Sequence, residues 1–323
     1  MNILKPRVHI VLVNWNSWSE ISVCLCSLEK LQYQNRKVIV VDNGSTDNSA
    51  DRIRSNFPWA EVVLTGKNLG FSGGCNAGIR RALSEGTDYV WLLNPDTTVD
   101  PRALDALVDK AESDPQVGAV GSAIYCMEAP SQLQAWGGGY VNFWTGRARH
   151  FLTPVPAGRI QYITGASLLV PQRVLLTTGL LDEGIFLYWE DTEYGWRLRR
   201  AGWKLAVAEQ SKIWHKGMST GGKKCGDIDR FYNASAVRFF IRYSPTPLLS
   251  VWVGVALRIA KRLIIGDWDR VRPIWVGFRQ GESQEKSQGR IRPKATQAMS
   301  GLETGQIETR GTISALSCER KQQ

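Results

Sequence analysis

Residues 8–47, VHIVLVNWNSWSEISVCLCSLEKLQYQNRKVIVVDNGSTD, decide the fold class of this chain of 323 residues. Residues 8–13 are an apolar run of strand length, and residues 37–41 form a second run that is rich in β-branched side chains. Between the two runs, apolar residues recur at the spacing of one helical face: Ile21, Leu25, Leu28 and Leu31. The stretch therefore predicts a strand, a helix and a second strand, as in an α/β sheet.

The same alternation continues further along the chain. Residues 87–93 and 117–120 are the next two apolar runs of strand length. Asp100 and Pro101, between them, are typical of a helix N-cap and a first helical position. Apolar residues after Pro101 share one face: Leu104, Leu107, Val108 and Ala111. Strands that alternate with helices predict an α/β fold with a mostly parallel sheet and helices on both faces. The three glycines at 137–139 are expected to form a flexible loop.

Composition excludes several classes of protein. Apolar residues make up 43% and charged residues 22% of the chain, which excludes a wholly disordered protein, a collagen and a coiled coil. The six cysteines contain no C-x-x-C pair, so free thiols in a reducing compartment are the simplest interpretation. The N-terminus lacks the long apolar core and the cleavage site of a signal peptide, so the globular part is expected in the cytoplasm.

The formal net charge of +10 is unevenly distributed. Residues 238–323 hold 15 of the 40 Lys and Arg and 7 of the 30 Asp and Glu, which leaves only +2 on the first 237 residues. A basic C-terminal third indicates an anionic membrane surface or nucleic acid as a partner, and a solvated basic tail is the alternative. The near-neutral remainder of the chain argues against nucleic acid.

Residues 246–266 are typical of an amphipathic helix, with Thr246 as N-cap, Pro247 at the first helical position and Gly266 at the end. One face is apolar, and the other carries small and basic residues: Ser250, Gly254, Arg258, Lys261 and Arg262. Three cations oppose a transmembrane span, so a helix in the membrane interface is expected; packing on the protein's own core is the alternative. Residues 279–323 contain no aromatic side chain and are expected to be disordered.

Polar residues follow the predicted strands at their C-terminal ends, where α/β sheets bind ligands. Asn14, Asp42 and Asp96 stand at three of these ends. Asp42, in VVDNGSTD (40–47), could hydrogen-bond a nucleobase or ribose, although D-N-G-S is equally a plain turn. Residues 68–78, NLGFSGGCNAG, allow a backbone to approach an anionic ligand closely, or they form a tight loop before a helix.

Two acidic segments are candidates for chemistry. Residues 94–97, Asn-Pro-Asp-Thr, could hold Mg²⁺ or Mn²⁺ that binds a diphosphate, or they form an Asx-type turn. Residues 190–193, Glu-Asp-Thr-Glu, crowd three carboxylates, which can raise a pKa to suit a general base; a salt-bridged helix is the alternative. His215 has no cluster of ligands around it in the sequence, so a structural role is its simplest interpretation.

Six motifs, in this order, resemble the inverting glycosyltransferase family 2, and within it the bacterial rhamnosyltransferase-like branch. They are VNWN (13–16), VVDNGSTD (40–47), NLGFSGGCNAGI (68–79), WLLNPDT (91–97), ITGASLLVP (163–171) and LDEGIFLYWEDTEYGWRLRRAGW (181–203). The resemblance covers about residues 7–245 and implies the Rossmann-like GT-A fold. We therefore expect a GT-A domain at 1–245, an amphipathic, membrane-associated helical segment at 246–278 and a disordered basic tail at 279–323.

The resemblance also implies a role for each matching position. Donor-binding positions are Asn14, Asn16, Asp42, Asn68, Gly70, Phe71, Gly74, Asn76, Asn94 and Asp96. Asp96 and His215 would hold Mg²⁺ or Mn²⁺, with Asn94 in place of the first Asp of the family's D-x-D motif. Asp191 would be the general base, and Glu190 is the second candidate. The acceptor side would contain Gly165, Ala166 and Trp189. Many relatives carry an Arg-Asn pair that residues 231–236 of this chain lack.

The resemblance implies a direct displacement that inverts the anomeric configuration. The donor would be a dTDP- or UDP-sugar, with dTDP-rhamnose as an example, and the acceptor a cell-surface glycan or its lipid-linked precursor. The enzyme would then be cytoplasmic and peripheral on the inner membrane face. Two alternatives are a non-catalytic nucleotide-sugar-binding or scaffold protein of the same fold, and a nucleotidyltransferase. The latter is expected to have an N-terminal glycine-rich basic loop, where this chain has Asn-Trp-Asn (14–16). The sequence carries no signal for an oligomeric state.

Overall fold

The computed structural model describes residues 5–217 and 225–287. The strands are β1 (Val8–Asn14), β2 (Arg36–Asp42), β3 (Ala60–Leu64), β4 (Tyr89–Leu93), β5 (Thr97–Val99), β6 (Val117–Cys126), β7 (Leu133–Trp136), β8 (Gly138–Asn142), β9 (Arg147–His150), β10 (Tyr162–Ile163), β11 (Ser167–Pro171) and β12 (Lys204–His215). The helices are α1 (Trp18–Glu29), α2 (Ser49–Asn56), α3 (Gly70–Ser84), α4 (Ala103–Glu112), α5 (Gln172–Thr178), α6 (Glu190–Arg200), α7 (Cys225–Tyr243), α8 (Pro247–Ile264) and α9 (Val271–Ser287).

The central sheet has the strand order β3-β2-β1-β4-β11-β6-β12-β5, with β7 paired to β6. Strands β3, β2, β1 and β4 are parallel, as the alternation of strands and helices predicts. Strand β11 is antiparallel to both β4 and β6, and β5 is antiparallel to β12. The α/β class is confirmed. The sheet is mixed, since β5, β7 and β11 are antiparallel to their neighbours whereas β6 and β12 are parallel to each other.

Apolar layers cover both faces of this sheet. Ile10 and Leu12 of β1 belong to the cluster that includes α1, α2 and α4, whereas Val11 and Val13 belong to the cluster that includes α3, α5 and α6. Gly78 lets α3 approach β1 closely, because a Cβ at this position would lie 2.3 Å from Val11 Cγ1. Close packing on both faces fixes the strand ends, from which the polar motifs project.

A second, three-stranded sheet has the order β10-β8-β9. It contains Gly138 and Gly139, so the prediction of a flexible loop at 137–139 is wrong for these two residues, whereas Gly137 lies between β7 and β8. A Cβ at Gly138 would lie 1.8 Å from the Tyr162 carbonyl oxygen, and one at Gly139 would lie 1.9 Å from the Arg149 carbonyl oxygen. The glycines are needed for close approach of neighbouring backbones in the sheet.

The two predicted helix starts have different outcomes. Thr246 and Pro247 hold the predicted N-cap and first position of α8. Helix α4 begins at Ala103 and not at Pro101 as predicted. A turn precedes it, because the Asp100 carboxylate accepts a hydrogen bond from the backbone of residue 102 at 2.9 Å and its carbonyl accepts one from Ala103 at 2.9 Å.

Helices α7, α8 and α9 pack around a third apolar cluster, which includes Val237, Phe239, Phe240, Val251, Val255, Ile274 and Phe278. Helix α9 continues past residue 279, so the predicted disorder is wrong for 279–287. Phe278 is buried against this cluster, and Glu285 pairs with Arg242 of α7 at 2.7 Å. Residues 288–323 of the predicted tail lie outside the described residues. Among the helices described here, none combines the length and apolar character of a bilayer-crossing segment.

Candidate active site

A cleft of about 1200 Å³ lies beyond the C-terminal end of β4. Its walls come from the ends of β1, β4 and β12, from the starts of α3 and α6, from β9 and from α7 to α9. Ten of the predicted site residues line it: Asn68, Gly70, Phe71, Asn94, Asp96, Gly165, Ala166, Glu190, Asp191 and His215. The fold thus brings together motifs that are far apart in the sequence.

Asp96 and His215 lie side by side in this cleft, although nothing in the local sequence pairs them. Asp96 Oδ1 is 3.2 Å from His215 Nε2, and His215 Nδ1 is 2.7 Å from Gln134 Oε1. A hydrogen bond from His215 Nδ1–H to the Gln134 oxygen would leave Nε2 available to a cation bound between His215 and Asp96. Asn94 Nδ2 is 3.4 Å from His215 Nε2, and Asn94 Oδ1 is buried without a hydrogen-bond partner among the described residues.

These side chains fit a divalent cation in their chemistry. A carboxylate oxygen and an imidazole nitrogen are both ligands that Mn²⁺ accepts, and the unpaired Asn94 oxygen lies on the same segment. Within residues 5–217 and 225–287, no group of three or more His, Cys, Asp and Glu side chains is placed to hold a metal ion. A cation at Asp96 and His215 would therefore need further oxygen ligands, which water or a bound diphosphate could supply. The metal role of the two residues stays a prediction.

The start of α6 presents two carboxylates to the cleft. A sharp turn precedes the helix, since Tyr188 and Trp189 have φ angles of 64° and 70°. Asp191 accepts a hydrogen bond from the Gly165 backbone N–H at 2.9 Å and another from its neighbouring backbone N–H at 2.6 Å. These bonds fix the Asp191 carboxylate beside the 165–166 segment, so the predicted base and the predicted acceptor side are adjacent.

Glu190 differs from Asp191 in its surroundings. Its side chain is buried, and Oε2 has no hydrogen-bond partner in the described part of the chain. Burial, together with the nearby charge of Asp191, raises the pKa of Glu190 to about 8. Glu190 is therefore largely protonated at neutral pH, and only a minor fraction of it is available as a base there. Of the two candidates, Asp191 is the better placed to accept a proton.

Asn14, Asn16 and Asp42 connect the loops that follow β1 and β2. Asn14 Nδ2 donates to Asp42 Oδ2 at 3.0 Å and to Ser49 Oγ at 2.6 Å. Asn16 has a φ of 51°, and its Oδ1 accepts a hydrogen bond from the Thr46 N–H at 2.7 Å. All three residues brace the loops. Their direct contact with a donor nucleotide stays a prediction.

Three further predicted contact residues do not line the cleft, and their contact with a ligand stays a prediction. Gly74 permits close packing of α3 on β1, because a Cβ there would lie 2.7 Å from Val13 Cγ1. Asn76 is fully used within the protein, since its Nδ2 donates to the Leu181 carbonyl at 2.9 Å and its Oδ1 accepts from the Leu181 N–H at 3.1 Å. Trp189 is only 4% exposed and packs among aromatic rings of α7.

Two family models match the chain. Glycosyl transferase family 2 matches residues 9–155, and Glycosyl transferase family group 2 matches residues 89–277, which is more than half of the chain. The chain belongs to glycosyltransferase family 2. The resemblance carried by the six sequence motifs is thereby confirmed, and the protein is a glycosyltransferase.

Named relatives of this family 2 glycosyltransferase belong to the same class of enzyme. An N-acetylglucosaminyl-diphospho-decaprenol L-rhamnosyltransferase of Mycobacterium tuberculosis is 27% identical over an alignment of 261 positions that covers 73% of this chain and 84% of that protein. A poly-beta-1,6-N-acetyl-D-glucosamine synthase of Staphylococcus aureus is 25% identical over an alignment of 221 positions that covers 65% of this chain and 52% of that protein.

Solved structures show the same fold. The structure of GalNAc-T7 with UDP, GalNAc and Mn²⁺ has a TM-score of 0.61 at 14% identity. The alignment covers 76% of this chain and 49% of the GalNAc-T7 chain. The mannosyltransferase PcManGT of Pyrobaculum calidifontis, with GDP-Man and Mn²⁺, has a TM-score of 0.56 at 14% identity. The alignment covers 87% of this chain and 88% of the PcManGT chain. At these identities the likeness concerns the fold alone, and it confirms the predicted GT-A fold.

One wall of the glycosyltransferase cleft contains basic residues that the motifs do not reveal. They come from β9 and from the C-terminal helices: Arg147, Arg149, Arg230, Arg258, Lys261, Arg262 and Arg270. The sequence does show the basic face of residues 246–266, but its pattern alone suits a membrane surface. The structure places this face toward the cleft, because α8 packs inward through small residues such as Ser250 and Gly254.

Proposed function

We propose that this glycosyltransferase transfers a sugar, with inversion, from a nucleoside diphosphate sugar to a hydroxyl of a cell-surface glycan or its lipid-linked precursor. The observation that carries the proposal is the position of Asp191, fixed by the Gly165 N–H in the same cleft as the Asp96 and His215 pair. The preferred donor is dTDP-rhamnose, on the similarity to the mycobacterial rhamnosyltransferase, with UDP-sugars as the alternative. That relative's name also supports a diphospho-lipid acceptor and a place in cell-wall glycan synthesis.

The reaction is a single displacement. Asp191 accepts the proton of an acceptor hydroxyl, and the hydroxyl oxygen forms a bond to the anomeric carbon while the bond from that carbon to the diphosphate oxygen breaks. Glu190 stays protonated beside Asp191, so the pair carries one negative charge and not two. Mg²⁺ or Mn²⁺, when bound, offsets the charge of the departing diphosphate. Asp96 and His215 would hold it, and two structural neighbours contain Mn²⁺.

The outer face of α8 supports peripheral contact with an anionic lipid bilayer. Its inward residues are small, and its larger apolar side chains are left in solvent: Trp252 is 50%, Ile264 is 84% and, just beyond the helix, Trp268 is 67% exposed. An exposed cation, Arg272, lies on the neighbouring helix α9. Apolar and aromatic side chains beside cations are typical of surfaces that lie in the interface of an anionic leaflet. Helix α8 also contributes to the cleft wall, so a lipid-linked acceptor would reach Asp191 from the membrane.

The test is release of nucleoside diphosphate by the purified full chain, with dTDP-, UDP- and GDP-sugars, Mn²⁺ and a diphospho-lipid glycan acceptor. We expect turnover with one donor, a loss of at least about 100-fold in Asp191→Asn, and wild-type turnover in the control Asp51→Asn on exposed helix α2. Full turnover of Asp191→Asn would overturn the assignment of the base. Absence of release with every donor would favour the non-catalytic alternative.

A further inference from the structure

Among the described residues, three of the seven cations of the cleft wall form ion pairs with a carboxylate (Arg230, Arg262 and Arg270), and four do not (Arg147, Arg149, Arg258 and Lys261). Arg262 and Arg270 both pair with Asp229, at 3.1 Å and 2.5 Å. Arg147 and Arg258 also line the cleft, but within residues 5–217 and 225–287 neither forms an ion pair with an Asp or Glu. Positive charges that face a cleft without a carboxylate are free to bind an anion.

The fold brings two of the unpaired cations, Arg147 and Arg258, close together. Gly146, in the β8–β9 turn, has a φ of 60° and lies against α8, where a Cβ on Gly254 would be 3.1 Å from the Gly146 carbonyl oxygen. Arg258 Nη1 donates to the same carbonyl at 3.0 Å, and its Nε donates to Asn233 Oδ1 at 2.6 Å. An arginine has five N–H donors, so these two bonds orient the guanidinium and leave donors for a ligand.

The electrostatics of Arg258 point to a site that is completed by a negative group. Its guanidinium also lies 5.7 Å from the ring centre of Tyr232. Burial, together with the like charge of Arg147, lowers the pKa of Arg258 to about 10. Two neighbouring cations in a partly dehydrated wall repel each other, and a bound anion would remove that cost.

The two arginines lie on the side of the proposed base. Tyr232 is within electrostatic range of Arg258, Arg147 and Asp191 together, and it contacts Trp189, whose backbone leads directly into the start of α6. An acceptor hydroxyl must reach Asp191, so a negative group of the acceptor molecule would come to this wall. The Asp96 and His215 pair, in contrast, is the proposed place for the donor's diphosphate.

We infer that Arg147 and Arg258 form an anion subsite that binds the phosphate or diphosphate of the acceptor and thereby positions its hydroxyl at Asp191. The inference rests on the proposed function, because it assumes that Asp191 accepts the proton of the acceptor. The ligand class is a sugar phosphate or a diphospho-lipid sugar. Arg147 and Arg258 are positioning residues and take no part in proton transfer.

The test compares two acceptors that carry the same sugar, one linked to a lipid diphosphate and one to a neutral alkyl group. In Arg147→Gln and Arg258→Gln we expect KM for the diphosphate acceptor to rise about 10- to 100-fold, as for a lost charge-assisted bond. KM for the neutral acceptor and affinity for the nucleoside diphosphate should not change. In Arg258→Lys, KM for the diphosphate acceptor should rise less than in Arg258→Gln, because the positive charge is kept. Arg54→Gln, at an exposed position of α2, is the matched control. Thermal melting checks that each variant is folded.

Three results would overturn the inference. Equal KM changes for both acceptors would show that the arginines only support the fold. Weaker nucleoside diphosphate binding in the variants would assign the arginines to the donor. If the wild-type protein transfers no sugar, the proposed function fails, and calorimetry with inorganic pyrophosphate then tests the subsite separately. Pyrophosphate binding that is about tenfold or more weaker in Arg147→Gln would support the subsite. Absence of pyrophosphate binding to the wild-type protein would overturn it.

Discussion

Replacement of Glu190 by glutamine should change how protein stability depends on pH while leaving most of the glycosyltransferase activity intact. Glu190 is 7% exposed, and its pKa of about 8 lies well above its ordinary value of 4.5. The folded state therefore keeps a proton that the unfolded chain releases between these two values. Wild-type stability from this group is fully present below pH 4.5 and is lost as the pH rises toward 8.

The magnitude follows from the width of that interval. One bound proton costs about 1.4 kcal/mol in the free energy of unfolding for each pH unit between roughly 5 and 8. The glutamine of the variant has no ionisable group, so its own contribution is constant over the interval. The difference in unfolding free energy between variant and wild type should therefore grow by about 4 kcal/mol from roughly pH 5 to pH 8, in favour of the variant.

Urea unfolding of both proteins at half-unit pH steps measures this difference directly, because all other titrating groups are shared and cancel. Nucleoside diphosphate release at neutral pH is recorded in parallel, and Asp191→Asn serves as the variant that should lose activity. If the stability curves of Glu190→Gln and the wild type run parallel across the whole interval, the pKa of Glu190 is not raised in the folded protein. Such a result would mean that Glu190 is ionised in the folded protein and competes with Asp191 as the base.

Further predictions concern packing, membrane contact and metal binding. Gly78→Ala should lower the free energy of unfolding by about 1–3 kcal/mol in urea unfolding, because its Cβ would meet Val11 Cγ1 at 2.3 Å; Gly158→Ala, with open space around it, should be nearly neutral. Ile264→Glu should weaken co-sedimentation with anionic vesicles about tenfold, whereas Leu176→Glu, which is equally apolar and exposed on α5, should not. In thermal melting, Mn²⁺ should give the nucleoside diphosphate complex of the wild type an extra stabilisation that His215→Ala lacks. Without metal, nucleotide should stabilise His215→Ala and the wild type alike.

The parts of the fold that local sequence determines could be predicted. Apolar runs that end in turn-forming polar residues identify β1, β2 and β4, and the order of the motifs identifies the family. The strand ends also predict where the cleft lies, because the C-terminal ends of parallel strands meet at one edge of a sheet. The pairing of Asp96 with His215 follows only from the resemblance, since their contact depends on β5 pairing with the far end of β12.

The features that depend on long-range packing could not be predicted. Gly138 and Gly139 have a local composition typical of loops, and only the close backbones of β9 and β10 explain why glycine is needed within a strand. Arg258 belongs to a basic helix face that suits a membrane equally well. Its place in the cleft results from the contact of Gly146 with Gly254, which unites two distant segments. Helix α9 extends past residue 279, where Glu285 forms an ion pair with Arg242 of α7.

The anomeric configuration of the product directly tests the proposed single displacement with Asp191 as the base. Proton NMR of the glycoside formed by the wild-type chain from a donor of known configuration gives the answer in one spectrum. We expect inversion, because one acceptor hydroxyl, deprotonated at Asp191, attacks the anomeric carbon opposite the departing diphosphate. A product that retains the donor's configuration would contradict the single displacement and the role of Asp191 with it.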